Sequence, residues 1–455
     1  MEIRRNKRPK TGVETKFSLP KFKKYFLKNG SEIYTVKKTD LPIIKITFII
    51  NSGSKFDPKN KNGVSNLTGM CIDEGSGKYN ALQLADEFDF LGAQFSIQSD
   101  SDITVLSLQV LTENFDAAFE LLSFVILLPH FNENDFQREK RKVQTRIEQL
   151  KDAPDYIANS AFEYFLFGKA HPYAFPVIGI SESIKEIEIS NLKNFYKGFF
   201  KSRNTSIVAV GNFDDNKLLK KVENVFENWD NGEKISTQNL NGNKNKQKIY
   251  VVNKQDSVQT EIRLGHNSSK RDELDYFQKH ILNLILGGQF SSRLNLNLRE
   301  KHGYTYGIRS QFNYYKDDAY FSVSTSVSTE NTAAAVNEIL TELNKIRDGI
   351  TDEELTFAKS SISRRFPLNF ETYSQIASNI ASKIIHNLPD DYFQKYLTNI
   401  LNIKIEEVNS AAFKSIIPES ALVVLCGDEK KINEQLSSLN LGDVVSVDYE
   451  QIYSE

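Results

Sequence analysis

Cysteine, tryptophan and methionine are scarce in this chain of 455 residues: two Cys, one Trp and two Met. So few thiols exclude a disulfide-built scaffold and a thiolate metal cluster. Cys71 and Cys426 lie far apart with no ligand spacing and read as inert core residues, a disulfide between them being left open by sequence alone. An excess of one charge is also missing. The net charge of −2 gives no electrostatic reason to expect nucleic acid or an acidic membrane surface as partner. Long apolar runs are absent as well. The longest, Ser123-Phe-Val-Ile-Leu-Leu-Pro129, is far too short to cross a bilayer, so no transmembrane segment is expected. Arg4, Arg5, Lys7, Arg8 and Lys10 are not followed by the apolar stretch of a secretory signal. The expectation is a cytoplasmic protein with a solvated basic arm at residues 1–15.

What is present is ordinary soluble-protein composition, 40% hydrophobic and 25% charged, at a length that predicts roughly two to three domains. The chain repeats itself. Thr112-Glu-Asn-Phe-Asp-Ala-Ala118 recurs as Thr329-Glu-Asn-Thr-Ala-Ala-Ala335, 217 residues on. Ser206-Ile-Val-Ala-Val-Gly211 recurs as Leu422-Val-Val-Leu-Cys-Gly427, at an offset of 216. Glu133-Asn-Asp-Phe136 matches Asp352-Glu-Glu-Leu355, at an offset of 219. Three pairings in one order at nearly one offset indicate a domain duplication; a solenoid would repeat every 20 to 50 residues or so. The seam falls in the polar, Asn- and Lys-rich stretch 228–247. This gives a first domain at 16–227, a linker at 228–247 and a second domain at 248–455, an arrangement that suggests a clam-shell.

Strands and helices mix within each half. Ile43–Ile50 is β-branched and bounded by Pro42 and Asn51-Ser-Gly53, which predicts a strand. Phe136, Val143, Ile147 and Leu150 recur at helical spacing before Pro154, predicting a helix with one apolar face. Tyr304–Tyr315 and Ala319–Ser328 flank Lys316-Asp-Asp318 and read as a hairpin, with Phe321, Val323, Thr325 and Val327 on its buried face. The fold class expected is α+β, with two homologous sandwiches of sheet and helices.

Gly63-Val-Ser-Asn-Leu-Thr-Gly-Met70, Asp73-Glu-Gly-Ser-Gly77 and Asp86-Glu-Phe-Asp-Phe-Leu-Gly-Ala93 resemble the first-domain motif region of the pitrilysin/insulinase family of zinc peptidases, which includes mitochondrial processing peptidase. In that family the helix carries H-x-x-E-H: two histidines on one face bind zinc, the glutamate activates water, and a later glutamate completes the metal shell. Here the resemblance places Asn66 and Met70 at the histidine positions, Gly69 at the glutamate and Arg146 at the last ligand. Glu148 lies close to that last position but about 200° around the helix from it. None of the four is a group that holds catalytic zinc, and the six histidines (His130, His171, His266, His280, His302, His386) are scattered. No metal is therefore expected in this chain.

The second half keeps a different motif. Gly287-Gly-Gln-Phe-Ser-Ser-Arg-Leu294 is followed by Asn297-Leu-Arg-Glu-Lys-His-Gly-Tyr-Thr-Tyr-Gly307. Gly287 and Gly288 close an apolar helix, Ser291 is placed to cap the next one, which ends near Gly303, and a strand is expected from Tyr304. Taken alone, Arg299 would read as a solvated helix-end cation and Tyr306 as a core strand residue. The resemblance implies more, since family members carry an arginine and, seven residues on, a tyrosine that reach the zinc-bound substrate. Arg299 offers a fork of donors to a peptide carbonyl or carboxylate, and the Tyr306 hydroxyl can donate to the oxyanion of a tetrahedral intermediate. Gly287 and Gly288 are candidates for a substrate loop, while Arg293 and Glu300 read as residues that fix the fold.

The resemblance covers nearly the whole chain, from about Lys16 to Gly427. It implies half of a clam-shell heterodimer: a non-catalytic, substrate-binding subunit whose homologous partner bears the zinc motif and the zinc. The pair would degrade unfolded peptides bound as an added strand. The competing expectation is a scaffold subunit of a larger complex with no part in proteolysis, against which the retained Arg299 and Tyr306 argue.

Overall fold

The computed structural model describes residues 17–233, 235, 248–436 and 443–453. The basic arm at 1–15 and most of the 228–247 linker lie outside the described residues. The strands β1 (Phe22–Phe26), β2 (Glu32–Lys37), β3 (Ile43–Ile50), β4 (Gln94–Ser99), β5 (Thr104–Leu111) and β6 (Thr205–Gly211) form one six-stranded sheet in the order β1-β2-β6-β3-β5-β4. A second six-stranded sheet holds β7 (Lys248–Asn253), β8 (Gln259–Asn267), β9 (Ile308–Tyr314), β10 (Ala319–Ser328), β11 (Leu422–Gly427) and β12 (Val444–Val447), in the order β12-β7-β11-β8-β10-β9.

Without the edge strands β1 and β12 the two orders superpose term by term. The directions agree too: β2–β6 and β7–β11 are parallel, and the remaining equivalent pairs are antiparallel. The expected duplication is therefore present as two copies of one α+β fold. The edges break the symmetry, because β1 returns antiparallel to β2 whereas β12 runs parallel to β7.

Helices follow the same repeat. The first half carries α1 (Val64–Cys71), α2 (Ala81–Phe90), α3 (Phe115–Leu127), α4 (Glu133–Leu150), α5 (Pro154–Phe167), α6 (Ser181–Glu186), α7 (Ile189–Phe199) and α8 (Asp215–Val225). The second carries α9 (Tyr276–Leu286), α10 (Thr332–Arg347), α11 (Asp352–Arg365), α12 (Tyr373–Ile385), α13 (Tyr392–Asn402), α14 (Ile405–Ser415) and α15 (Glu429–Leu436). The duplicated Thr-Glu-Asn turns lead into α3 and α10, and Glu133 and Asp352 open α4 and α11. The apolar stripe expected on α4 faces inward, with Phe136, Val143 and Ile147 buried. Cys71 and Cys426 are both buried and free, so the disulfide left open by sequence is not formed.

The central strands of each sheet are buried on both faces. Ile33, Ile46, Phe48, Ile207 and Ala209 pack into the core shared with the first-half helices. Their neighbours Tyr34, Val36, Ile49, Val208 and Val210 point the other way, as the period of two requires, and meet Tyr373, Ile376 and Ile380 of α12. The reciprocal holds in the second half: α5, through Ala158, Ala161 and Phe162, covers Val252, Leu422, Val424 and Cys426. The halves thus exchange equivalent helices. Polar contacts fix the exchange, since Glu163 of α5 accepts from the hydroxyls of Tyr315 (2.8 Å) and Tyr320 (2.9 Å). On α12 the Tyr373 hydroxyl donates to the carbonyl of Leu41 at 3.0 Å. The described start of the linker also docks on the first half, where the Trp229 indole donates to the carbonyl of Phe200 at 3.0 Å. No helix among the described residues is long and apolar enough to cross a membrane.

Two local expectations are corrected. The second-half hairpin begins at Ile308, so Tyr304–Gly307 is a loop. It is held out of the sheet by a mutual contact in which Gly307 N–H donates to Thr305 Oγ1 (3.1 Å) and Thr305 Oγ1–H to Gly307 O (2.9 Å). The helical segment before it is flanked by Ser292, not Ser291: Leu296 N–H donates to the Ser292 carbonyl at 2.9 Å. Its main part, Asn295–Lys301, is π-helical, a form that is rare and concentrated at functional sites.

Candidate functional site

Two equivalent places in the halves carry the residues singled out from sequence. In the first, α1 lies against β4, and a hollow of about 420 Å³ is lined by Asn66, Gly69 and Met70 together with Ile97 and Ser99. Helix α1 starts sharply because the Asp57 carboxylate accepts from Gly63 N–H (2.6 Å) and Ser65 N–H (2.8 Å), satisfying the free donors of its first turn. Asn66 and Met70 stand one turn apart on the half-open face, with Asn66 Nδ2 3.6 Å from Met70 Sδ. The geometry is that of a histidine pair. The donors are not: an amide and a thioether bind zinc poorly.

Gly69 lacks a side chain, and a Cβ there would stand 2.8 Å from Ser99 Oγ, which itself shares a hydrogen bond with Thr104 Oγ1 at 3.0 Å. Ser99 of β4 thus stands against the point from which a glutamate side chain would start. Arg146 is exposed, does not line the hollow, and bonds Gln149 along α4. Nearby Glu148 pairs with Lys151 at 3.0 Å on the surface. Among the described residues no cluster of three or more His, Cys, Asp or Glu could hold a metal. The donor set here does not fit zinc.

In the second half the same position, between α9 and β9, is a larger hollow of about 690 Å³. By the repeat offset of 217, Asn283 stands where Asn66 does and Gly287 where Met70 does. Gly287 and Gly288 do end α9, as expected, but for a packing reason. A Cβ on Gly287 would fall 2.5 Å from the backbone nitrogen of Ser310, so the helix end can lie directly on β9 only with glycine there. At the other end of the segment, Gly303 adopts φ +66°, and Gly303 and Tyr304 donate to the carbonyls of Arg299 and Leu298, closing the helical turn.

Tyr306 rides the loop that follows and is 96% exposed, with no hydrogen-bond partner for its hydroxyl among the described residues. The core-strand alternative for Tyr306 is thereby overturned. Arg299 lies with its guanidinium 3.9 Å over the ring of Phe290, and Glu300 is 3.3 Å away. Phe290 and Tyr306 both line the hollow, whereas Arg299, stacked on Phe290, does not. Arg293 does fix the fold, forking onto both oxygens of Glu354 (2.6 and 2.7 Å) and onto the Gly349 carbonyl. Glu300 does not; it is exposed and pairs with Arg299.

Sequence reasoning missed the residues that hold this loop in place. Asn295 Nδ2 donates to the carbonyls of Ile308 (2.8 Å) and Gln289 (3.2 Å), and its Oδ1 accepts from Ile308 N–H (3.3 Å). Asn297 reaches α10, donating to Glu338 and Glu342 at 2.9 and 3.0 Å. The available signal was Leu294-Asn-Leu-Asn-Leu298, whose alternation suits neither an α-helical stripe nor a solvated face. Both asparagines are buried while Leu296 between them is exposed.

Strand β9 is an edge of its sheet. Its outward-facing groups are met by Asn295 at Ile308 and by the Gly287 carbonyl at Ser310 N–H (3.3 Å). Alternation then turns the main-chain groups of Phe312 and Tyr314 outward along the hollow, where no described residue pairs with them.

A duplicated α+β chain with a zinc-peptidase helix stripped of its ligands, and with a half-buried Arg299 and an exposed Tyr306 in the second copy, defines an inactive-type peptidase homologue. Comparison agrees: residues 33–167 match the model of the insulinase (peptidase family M16) domain and residues 186–362 that of the peptidase M16 inactive domain. The chain belongs to the M16 peptidase family, and with its motif residues replaced it is a non-catalytic member. It is 26% identical over 407 residues to an uncharacterized zinc protease of Rickettsia felis, covering 87% of this chain and 96% of that one. With a non-peptidase homolog, YmxG, of Helicobacter pylori it shares 25% over 373 residues, 81% of this chain and 85% of the other. The crystal structure of a peptidase M16 inactive domain from Pseudomonas fluorescens superposes with a TM-score of 0.85 at 25% identity, covering 90% of this chain and 98% of that one.

Proposed function

We propose that this chain is the substrate-binding, non-catalytic subunit of a two-subunit zinc peptidase that degrades unfolded peptides, the two subunits closing as a clam-shell. The homologous partner carries the H-x-x-E-H motif and the zinc, and this chain presents Arg299 and Tyr306 to that site. One observation carries the reading: a tyrosine left 96% exposed at the end of a loop that buried Asn295 holds rigidly. Burial of aromatic surface is favourable and is forgone here, so the fold gains no stability from holding this side chain in solvent. Arg299 beside it is positioned by Phe290 and Glu300, and the open part of β9 offers an extended peptide a partner strand that reads main chain rather than sequence.

The test is to purify the chain with an H-x-x-E-H-bearing homologue from the same genome and assay peptide cleavage. Tyr306→Phe is expected to lower kcat by about 10²–10³-fold, the cost of one oxyanion donor, with the heterodimer intact. Its effect on the chain's own stability should stay within about 0.5 kcal/mol, since nothing in the fold uses the hydroxyl. Arg299→Ala should likewise lose activity. Full activity of the zinc-bearing homologue alone, indifferent to this chain, would sink the reading and leave a scaffold.

A further inference from the structure

The hollow beside β9 has a charge character that substrate presentation in general does not require. None of the described residues lining it is Asp or Glu. Two of its arginines, Arg309 on β9 and Arg365 at the end of α11, are exposed and make no side-chain hydrogen bond or ion pair with any described residue. Arg309 lies next to the Tyr306 loop and, by the alternation along β9, on the sheet face opposite Ser310 and Phe312, whereas Arg365 lines the same hollow from the helix side, so an added strand would meet one guanidinium on each of its faces. The other basic lining residues add little charge to these two. The ammonium of Lys279 is buried and committed to Ser269 and Asp275 (3.1 Å), and His280, packed on Tyr276, is kept neutral by burial and by nearby Arg271. A cationic groove with an open strand edge selects by charge as well as by main chain, because an unpaired guanidinium attracts carboxylates and repels ammonium groups over about a Debye length.

We propose that the β9 edge is selective for acidic peptide segments, which bind extended beside Phe312 and Tyr314 with carboxylate side chains on Arg309 and Arg365. This rests on the peptide-binding reading above and names its substrate class. The competing explanation for a charged residue on an edge strand is protection against self-pairing. That role predicts aggregation, not altered peptide preference, when the charge is removed.

The test uses the full chain and three fluorescein-labelled β-prone octapeptides that differ only in carrying Glu, Gln or Lys at two adjacent central positions, one for each face of the added strand, with binding read by anisotropy. At low salt the Glu peptide is expected to bind about tenfold more tightly than the Gln peptide, and the Lys peptide more weakly than either, the differences shrinking as salt screens them. The double variant R309Q/R365Q should abolish the Glu-over-Gln preference, and N-methylation of alternate amides should abolish binding of all three. Equal affinity for Glu and Gln peptides, or a preference that survives R309Q/R365Q, overturns the acidic selectivity while the peptide-binding reading stands. Absence of binding by any peptide, or indifference to N-methylation, overturns the β9 edge as a peptide site and the selectivity with it.

Discussion

Asn295 serves β9 as a neighbouring strand would, meeting both the N–H and the C=O of Ile308 from one buried amide. Asn295→Ala strands those two groups where water does not reach them, at a cost of about 1–3 kcal/mol. Urea unfolding should show that loss, and peptide cleavage by the reconstituted heterodimer should fall with it because Tyr306 is no longer held. Histidine supplies the residue-scale pH prediction. Burial, with help from Arg271, pulls His280 down to about 4 from its ordinary value. Between that value and the ordinary range near 6.5 the unfolded chain binds the proton and the folded chain does not, so stability falls as pH is lowered through this window. Replacing it (His280→Gln) should flatten the dependence of Tm on pH between about 6.5 and 4. A variant whose Tm still drops as steeply as the parent's would assign the acid sensitivity elsewhere.

Among the elements, the exchanged helices decide how the halves behave. Ile380 of α12 is buried among Tyr34, Val208 and Val210, residues of the other half's sheet. Ile380→Ala should cost about 2–5 kcal/mol, the range for emptying a core site. Its signature is positional: amide exchange should quicken in β2 and β6 of the first half, far along the chain from the substitution. Exchange confined to α12 and its own half would count against the helix swap. Much of this architecture was legible beforehand. The three repeats announced the duplication, and β3 and α4 followed from β-branching and helical spacing; of the four replaced motif positions, Asn66, Gly69 and Met70 share α1 while Arg146 lies apart on α4. The swap was not legible, because periodicity reports that a face is buried and not which sheet buries it. One clue existed in Ile207-Val-Ala-Val210, a run with no polar alternation, which marks a strand covered on both sides. The misplaced strand start at Tyr304 has a similar cause: Tyr-Thr-Tyr has strong β propensity, and only the tertiary clamp at Asn295 shows that the sheet begins at Ile308.

At the level of the whole molecule, the halves also meet through charge. The turn between β4 and β5 brings Asp102, and the equivalent turn between β9 and β10 brings Asp317; both grip Lys55 at 2.7 Å. The side chains of this triad are 3%, 8% and 0% exposed for Lys55, Asp102 and Asp317. The Tyr173 hydroxyl donates to Asp102 and accepts from Asp317 N–H, and Lys316 N–H donates to the second Asp102 oxygen at 2.8 Å. With two helices exchanged and this knot between them, the halves should unfold in one cooperative transition, not as two independent domains. Lys55→Met tests the knot. Removing the cation leaves two carboxylates facing each other without water, at a cost of about 3–5 kcal/mol. A second substitution identifies the cause. Adding Asp317→Asn to Lys55→Met should recover most of the loss, because Asp102, still held by the Tyr173 hydroxyl and Lys316 N–H, then no longer faces a second buried carboxylate. A loss that Asp317→Asn leaves unchanged would mean that Lys55 contributes by packing alone.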